Sequence, residues 1–142
     1  MSDYPKVQNL RRPQVKLVQP RDLGPRDWGK EELIAEGSTY IAKKLTMKHG
    51  TAGGLQYHER KEESFLLVEG KALVEYDDGM GGLASLYLLP GMMVHVPIGA
   101  PHRVTALADC VFYEWSNPVF NDRVRVEAEY NEPETGGLPT SR

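Results

Sequence analysis

The sequence predicts an all-β fold, a sandwich or barrel of roughly eight to ten short strands within a single domain. The first observation is that 14 glycines and 10 prolines fall at regular intervals along the 142 residues. The second is that the runs between them are short and either alternate between apolar and polar residues or are wholly apolar, as strands do. The third is the length itself, which gives room for one hydrophobic core.

The composition excludes several classes of function. The 17 basic residues are outnumbered by 20 acidic ones and form no cluster, which argues against a nucleic-acid partner. No apolar run approaches the ~20 residues of a membrane span, and no signal-peptide pattern opens the chain. Cys110 is the single cysteine, so no internal disulfide forms, and we expect a cytoplasmic protein.

The pattern divides the chain into three segments. Residues 1–27 are predicted to be an extended N-terminal arm with a short edge strand at 15–18. Because arms of this kind often pair with a second subunit, we expect a homodimer. Residues 28–130 are predicted to form the barrel. Residues 131–142 are polar and contain two prolines and two glycines, so we expect a disordered tail.

The strands of the barrel follow from the alternation and from the turns. A turn-rich segment at 24–29 precedes residues 31–35, which fit either a short strand or a helical turn. Regular strands are predicted to begin at Thr39, since Ile41 and Met47 then share one strand face. The remaining predicted strands are 64–68, 72–76, 83–89, 92–96, 104–107 and 111–115, with turns at 77–79 and 90–91 and a last extended segment at 124–126.

Two stretches carry the residues best suited to chemistry. In the first, Gly50, Gln56, His58, Glu63 and Gly70 are separated by five, one, four and six residues. Gln56 and His58 are two apart, so their side chains leave the same face of a strand. A break in the pattern before Glu63 allows the chain to return that carboxylate to the same pocket.

The second stretch contains Gly91, Pro97, Gly99 and His102, separated by five, one and two residues. Pro97 and Gly99 predict a tight turn. This turn would aim His102 from the start of the next strand.

Together the two stretches resemble, spacing for spacing, the two sequence motifs of the cupin superfamily. That resemblance implies a double-stranded β-helix, or jelly-roll, barrel. In cupins the first motif supplies His, His and Glu as metal ligands, and the second supplies another His. Here Gln56 replaces the first of those histidines, and Ala106 stands where the second motif usually ends in Asn.

The chain is more closely similar to the cupin domain of type II mannose-6-phosphate isomerases, over most of residues 28–130. This resemblance implies a metal site formed by Gln56, His58, Glu63 and His102, with zinc the usual metal. The matching segments are Trp28-Gly29, Glu32-Leu33-Ile34-Ala35, residues 43–50, Leu55-Gln56-Tyr57-His58, Glu63, Pro97-Ile98-Gly99, His102-Arg103-Val104 and Asn121-Asp122-Arg123-Val124-Arg125.

The chemistry of these four ligands agrees with a transition-metal site. Two imidazoles, one carboxylate and one amide oxygen suit Zn²⁺, Fe²⁺, Mn²⁺, Ni²⁺ or Co²⁺. Such a site keeps a net positive charge and accepts a water or a substrate oxygen. The alternative is that His58 and Glu63 form a surface pair within the charged run 59–63, and that Gln56 only hydrogen-bonds to a bound water.

Five further residues are candidates for catalysis or substrate binding. Glu114 lies between aromatic neighbours on a predicted strand and is a candidate general base if it points inward. Lys43 either faces the pocket as the second candidate catalytic group or extends from the barrel edge. For substrate binding the candidates are Arg60, which could bind an anionic group or lie exposed, His95, which could line the pocket or the outer face, and Tyr57, which lies between two candidate ligands.

The sequence therefore predicts a metal-dependent enzyme acting on a small molecule, in first place an isomerase or epimerase of sugars or hydroxy-carbonyls. The alternatives are a cupin polyketide cyclase or dioxygenase acting on an apolar or aromatic substrate, and a binding module without catalysis. Arg60, Arg103, Arg123 and Arg125 are scattered in the sequence. This absence of a concentrated phosphate site counts against a true mannose-6-phosphate isomerase.

Overall fold

The computed structural model describes residues 12–141, which form two antiparallel sheets. The strands are β1 Arg21–Arg26, β2 Gly29–Glu36, β3 Ile41–Met47, β4 Gln56–His58, β5 Glu63–Glu69, β6 Ala72–Asp77, β7 Leu83–Leu88, β8 Met93–Val96, β9 His102–Ala106, β10 Cys110–Ser116 and β11 Arg123–Arg125, and a 3-10 helix spans Glu127–Tyr130. Within residues 12–141 no helix has the length and apolar character needed to cross a membrane.

The two sheets face each other as a sandwich. One has the strand order β1-β2-β3-β10-β5-β8 and the other β11-β4-β9-β6-β7. From β3 to β6 and again from β7 to β11, successive strands lie in alternate sheets. Strands distant in sequence, such as β3 and β10, therefore become neighbours. This is the double-stranded jelly roll, and the predicted all-β fold is confirmed.

The interior of the sandwich has an apolar end and a polar end. Along β5 the buried residues are Glu63, Phe65 and Leu67, each two positions apart, as the strand period requires. Strand β10 is antiparallel to β5, so Phe112 pairs with Leu67 and Glu114 pairs with Phe65. The inward-facing charges of both strands are thus collected at one end, and the apolar side chains form the core at the other.

The first strands begin earlier than the sequence predicts. β1 and β2 pair as a hairpin, with Arg21 opposite Leu33, and β2 then pairs with β3. The register of β1 shifts between Asp22 and Pro25, so the alternation on which the prediction depends is interrupted. Residues 15–18, predicted as an edge strand, are exposed and form no strand, and residues 1–11 of the arm lie outside the described residues.

Residues 131–141, for which the sequence predicts disorder, instead lie against the barrel. The Gly137 amide donates to Asp27 Oδ1 at 2.9 Å, and the Ser141 amide donates to the Arg123 carbonyl at 3.0 Å. These contacts satisfy backbone polar groups without burying large apolar side chains. A prediction of disorder that is based on low apolar content does not take such backbone hydrogen bonds into account.

Candidate metal centre

The polar end of the sandwich encloses a cavity of about 150 Å³. Its wall includes Gln56, His58, Glu63, His102 and Glu114. These residues come from β4, β5, β9 and β10, so both sheets contribute to one site. Gln56 is also the register partner of His102, which sets the first motif directly beside the second.

His58, Glu63 and His102 form a buried triad. Glu63 Oε1 lies 3.6 Å from His58 Nε2 and 3.2 Å from His102 Nε2. One ligand atom from each of the three residues lies within 4.8 Å of the other two. The turn at Pro97 and Gly99 does place His102 at the start of a strand, as the sequence predicts.

Both imidazole rings are oriented by bonds to their other nitrogen. His58 Nδ1 lies 2.9 Å from Asp122 Oδ1, and His102 Nδ1 lies 3.0 Å from the Ala100 carbonyl oxygen. Because these oxygens accept, each Nδ1 carries the hydrogen, and in the neutral form that binds a metal each ring would present its Nε2 lone pair on the side that faces Glu63. A carboxylate that orients a ligating imidazole in this way is typical of metal centres.

The residues fit a divalent transition metal. One ligand atom each from His58, Glu63 and His102 lies within 4.8 Å of the other two, and two imidazoles with a carboxylate are a ligand set for such ions. Gln56 lines the same cavity, and within residues 12–141 its amide makes no hydrogen bond, so its oxygen is available as a fourth ligand. Metal binding requires neutral histidines, so it competes with protons.

The Glu63 carboxylate is held ionised inside the protein. Burial raises its pKa, but the Lys61 ammonium and the imidazoles of His102 and His58 lower it further, so the pKa lies well below the ordinary value. Burial likewise disfavours charge on His102, and the bond to Glu63 outweighs this and raises its pKa. Lys61 Nζ lies 2.9 Å from Glu63 Oε2, at an angle outside the hydrogen-bonding range.

Lys61 and Glu114 form a second buried pair beside the triad. Lys61 Nζ donates to Glu114 Oε2 at 3.1 Å. Burial would lower the pKa of Lys61, but the two carboxylates of Glu114 and Glu63 raise it above its ordinary value, so this buried lysine stays charged. Burial and the nearby charge of Glu63 raise the pKa of Glu114 to about 7, against the lowering effect of the lysines.

Lys43 lines the same cavity but has a different partner. Its Nζ donates to Glu31 Oε1 at 2.8 Å and lies 5.5 Å from the centre of the Phe120 ring. Arg26 Nε donates to the other oxygen of Glu31 at 2.9 Å. Glu31 therefore lies between two cations.

Three residues predicted to bind substrate lie outside the cavity wall. Arg60 is exposed, and its backbone amide donates to Asp122 Oδ2. His95 is exposed on β8, where its Nε2 lies 3.2 Å from Glu62 Oε2. Tyr57 is half-buried between Gln56 and His58, so the strand period turns it to the opposite face.

Sequence reasoning gave no role to Lys61 or Asp122. Lys61 belongs to the charged run 59–63, which has the usual appearance of a solvated surface. In the structure this run alternates: Lys61 and Glu63 are buried, while Arg60 and Glu62 are exposed. The two-residue spacing of Lys61 and Glu63 is the one sequence signal that could have linked them.

Comparison with models of known protein families shows which family the chain belongs to. The family model "Mannose-6-phosphate isomerase C-terminal" matches residues 15–110, which is more than half of the sequence. The chain belongs to this family. The cupin resemblance inferred from the two motifs is thereby confirmed.

Curated relatives match the same domain at low coverage of their own length. Xanthan biosynthesis protein XanB of Xanthomonas campestris pv. campestris (strain B100) is 30% identical over 79 residues, covering 56% of this chain and 16% of the relative. Mannose-1-phosphate guanylyltransferase of Escherichia coli (strain K12) is 31% identical over 77 residues, covering 54% and 15%. This family member therefore spans about a sixth of the length of those relatives.

Solved structures of cupins share the fold. The capsular polysaccharide assembling protein CapF of Staphylococcus aureus superposes with a TM-score of 0.68 at 20% identity, covering 78% of this chain and 32% of CapF. KdgF of Halomonas sp. has a TM-score of 0.61 at 21% identity, and the match covers 72% of this chain and 90% of KdgF. Bacillus subtilis oxalate decarboxylase, described with Mn(II) centres, has a TM-score of 0.63 at 18% identity, covering 75% and 30%.

Proposed function

We propose that this chain is a metal-dependent isomerase or epimerase acting on a sugar or a related hydroxy-carbonyl. The observation that carries the proposal is the buried pair Lys61–Glu114 directly beside the converging ligand atoms of His58, Glu63 and His102. Zinc is the first candidate metal for this ligand set. When bound, the metal would supply Lewis acidity that polarises a substrate carbonyl.

The chain's own residues have separate tasks in this proposal. His58, Glu63 and His102 would hold the metal, with Gln56 as the fourth ligand. Glu114 takes a proton from the carbon beside the carbonyl, and the electron pair of the broken C–H bond is delocalised onto the carbonyl oxygen. For isomerisation, Glu114 returns the proton to the former carbonyl carbon, and the neighbouring hydroxyl proton moves to the former carbonyl oxygen. For epimerisation, a proton from water is added to the opposite face of the same carbon, and Glu114 releases its proton to water.

Lys61 and Lys43 contribute charge rather than a transferable proton. Lys61 orients Glu114 through the bond to Oε2 and remains an ammonium because of its two carboxylate partners. Lys43 is bonded to Glu31, which fixes its Nζ in the cavity wall. The raised pKa of Glu114, to about 7, supports its role, since a general base is most effective near the working pH.

The test combines metal content with proton exchange. We expect close to one metal ion per chain after loading with zinc. We also expect the protein to exchange the α-hydrogen of its substrate for deuterium in D₂O. This exchange is measured by NMR with a panel of aldoses and ketoses. Glu114→Gln should lower the exchange rate by roughly 10²- to 10⁴-fold while leaving the metal content unchanged. The control is E129Q, which alters an exposed carboxylate in the 3-10 helix.

An exchange rate that is the same in metal-stripped and metal-loaded protein would overturn this proposal. So would a chain that takes up no divalent ion. Equal loss of exchange in E114Q and E129Q would remove the role assigned to Glu114.

The apolar part of the cavity wall favours a second candidate. Phe65, Phe112, Met47 and Trp28 also line the cavity and would offer an apolar surface to an aromatic or polyketide substrate. This surface supports a cupin cyclase or dioxygenase. Oxygen consumption by the iron-loaded protein, or cyclisation of a poly-β-keto thioester analogue, would identify that chemistry. A ligand that stabilises the protein and is recovered unchanged would instead indicate a binding module.

A further inference from the structure

Arg123 is a charged residue of the cavity wall that has no carboxylate within ion-pair distance among residues 12–141. It is half-buried on β11 and lines the cavity. Its side chain donates to Asn121 Oδ1 at 3.1 Å, and no carboxylate of residues 12–141 forms an ion pair with it. An arginine presents five donors in a rigid fork, so most of its hydrogen-bonding capacity is unused here.

The other guanidinium groups of the cavity wall are compensated. Arg26 Nε lies 2.9 Å from Glu31 Oε2. Arg103 Nε lies 2.9 Å from Glu75 Oε1, and another of its nitrogens lies 3.3 Å from a Glu132 oxygen. Within the described part of the chain, Arg123 is thus the cavity-lining arginine without an acidic partner.

The charges around Arg123 increase this imbalance. Arg26, Lys43 and Arg123 supply three positive charges to this part of the cavity wall, and Glu31 supplies one negative charge. The nearby Asp122 carboxylate also acts on Arg123 but accepts its hydrogen bonds from His58 and from two backbone amides. The pKa of Arg123 lies below its ordinary value because burial disfavours its charge. The carboxylates of Glu31 and Asp122 offset part of that effect, and Arg26 adds to it. A bound anion would relieve both the burial and the repulsion.

Strand register places this charge close to the candidate metal. Arg123 is the register partner of His58 in the antiparallel pair of β11 and β4. Residues directly opposite in such a pair project to the same face with Cβ atoms about 5 Å apart. A small molecule with one end at the triad therefore has Arg123 within reach of its other end.

We propose that Arg123 binds a carboxylate of the substrate, so that the cavity takes a sugar acid in preference to a neutral sugar. This inference rests on the proposed function. A single planar fork matches a carboxylate through two parallel hydrogen bonds. Phosphate sites commonly add backbone amides from a helix N-terminus, and in the described residues the 3-10 helix does not line this cavity.

The test measures binding by calorimetry with metal-loaded protein. The ligands are D-glucuronate, D-galacturonate and D-mannuronate, each compared with its parent hexose and with the hexose 6-phosphate. We expect at least one uronate to bind more tightly than both of its counterparts. Arg123→Gln should weaken that binding by about 10- to 100-fold and leave hexose binding unchanged. The control R21Q removes an exposed arginine of β1 and should change neither.

A second variant guards against a folding defect. R123K keeps the charge and most of the bulk but loses the fork, so uronate binding should fall between that of the native protein and R123Q. Uronates that bind no more tightly than hexoses, or hexose phosphates that bind most tightly, would overturn the inference. R123Q that weakens hexose and uronate equally, or R123K with native uronate affinity, would do so too.

The outcomes separate this inference from the proposed function. Selective uronate binding that depends on Arg123, without any proton exchange, would overturn the isomerase proposal and leave the carboxylate site standing. Proton exchange with equal binding of hexoses and uronates would overturn only the carboxylate site.

Discussion

At the scale of single residues, the partners of a charged side chain decide its role more than its chemical type does. His58 and His102 are buried with both ring nitrogens engaged, whereas His95 is exposed and paired with Glu62. Lys61 is buried because two carboxylates compensate its charge. Desolvation of an isolated ammonium at the same place would cost several kcal/mol.

The Asp122 carboxylate is a positioning group whose removal should weaken metal binding. Its Oδ1 accepts from His58, and its Oδ2 accepts from the backbone amides of Arg60 and Lys61, both at 2.8 Å. In Asp122→Asn an amide NH₂ replaces one of these acceptors, so either His58 or the two amides lose their bond. We expect a loss of roughly 10- to 100-fold in metal affinity, measured by competition with a chromogenic chelator.

The matched control for this substitution is D109N. Asp109 also accepts a backbone hydrogen bond, from the His49 amide at 2.9 Å, but lies outside the cavity wall. Native metal affinity in D122N, or an equal loss in D109N, would contradict the positioning role. Melting temperatures of the metal-free variants separate an affinity effect from general destabilisation.

Glu31 should make the stability of the fold depend on pH in the acid range. Burial raises its pKa, but Lys43 and then Arg26 lower it below the ordinary 4.5. The carboxylate therefore stabilises the folded state fully above about pH 4.5, and this contribution is lost as the pH falls through the lower folded-state pKa. We expect the native protein to lose more stability than E31Q between about pH 5 and pH 3.

Urea unfolding at several pH values measures this difference. E129Q serves as the control, since it removes an exposed carboxylate and should keep the native pH profile. Parallel stability curves for the native protein and E31Q would disprove the role assigned to Glu31.

At the scale of elements, short connections between strands depend on backbone geometry. Gly70, between β5 and β6, has φ +99°, and a Cβ there would lie 2.3 Å from the Asp109 carbonyl oxygen. Gly79, between β6 and β7, has a similar φ of +88° but no atom within 4 Å of its Cβ position. Comparing Gly70 with Gly79 therefore distinguishes the effect of backbone strain from the effect of close packing.

Substituting these two glycines should give different losses of stability. Gly79→Ala should cost about 1–2 kcal/mol from the left-handed backbone alone. Gly70→Ala should cost about 1–3 kcal/mol more, because the added methyl meets backbone that cannot move easily. Urea unfolding of both variants gives the difference, and equal losses would show that packing at Gly70 contributes nothing.

At the scale of the whole molecule, the features that could be predicted are those formed by residues close together in the sequence or belonging to a known motif. Gln56, His58 and Glu63 are close in sequence, and the cupin motifs supplied His102. The Lys61–Glu114 bond joins residues 53 positions apart, and the His58–Asp122 bond spans 64 positions. Such pairs form only when strands that are distant in sequence come together in the folded sheets. The spacing of residues along the chain therefore could not indicate them.

The same reasoning explains which global features the sequence missed or left open. The strand alternative for residues 31–35 is confirmed by β2, whereas β1 and its pairing with β2 were missed because a register shift hides the alternation. The predicted homodimer stays a prediction. The nearly complete exposure of Val15 and Leu17 on the arm is consistent with a surface that a second subunit could cover.

The path of residues 131–141 has a practical consequence for work with this protein. Gly137 and Leu138 form part of the cavity wall, and Ser141 is bonded to the backbone of Arg123. An affinity tag attached after residue 142 would therefore follow a segment bonded beside the candidate metal centre, where a run of histidines would compete for added metal. A preparation tagged in this way is unsuitable for measuring either metal content or ligand affinity unless the tag is first removed.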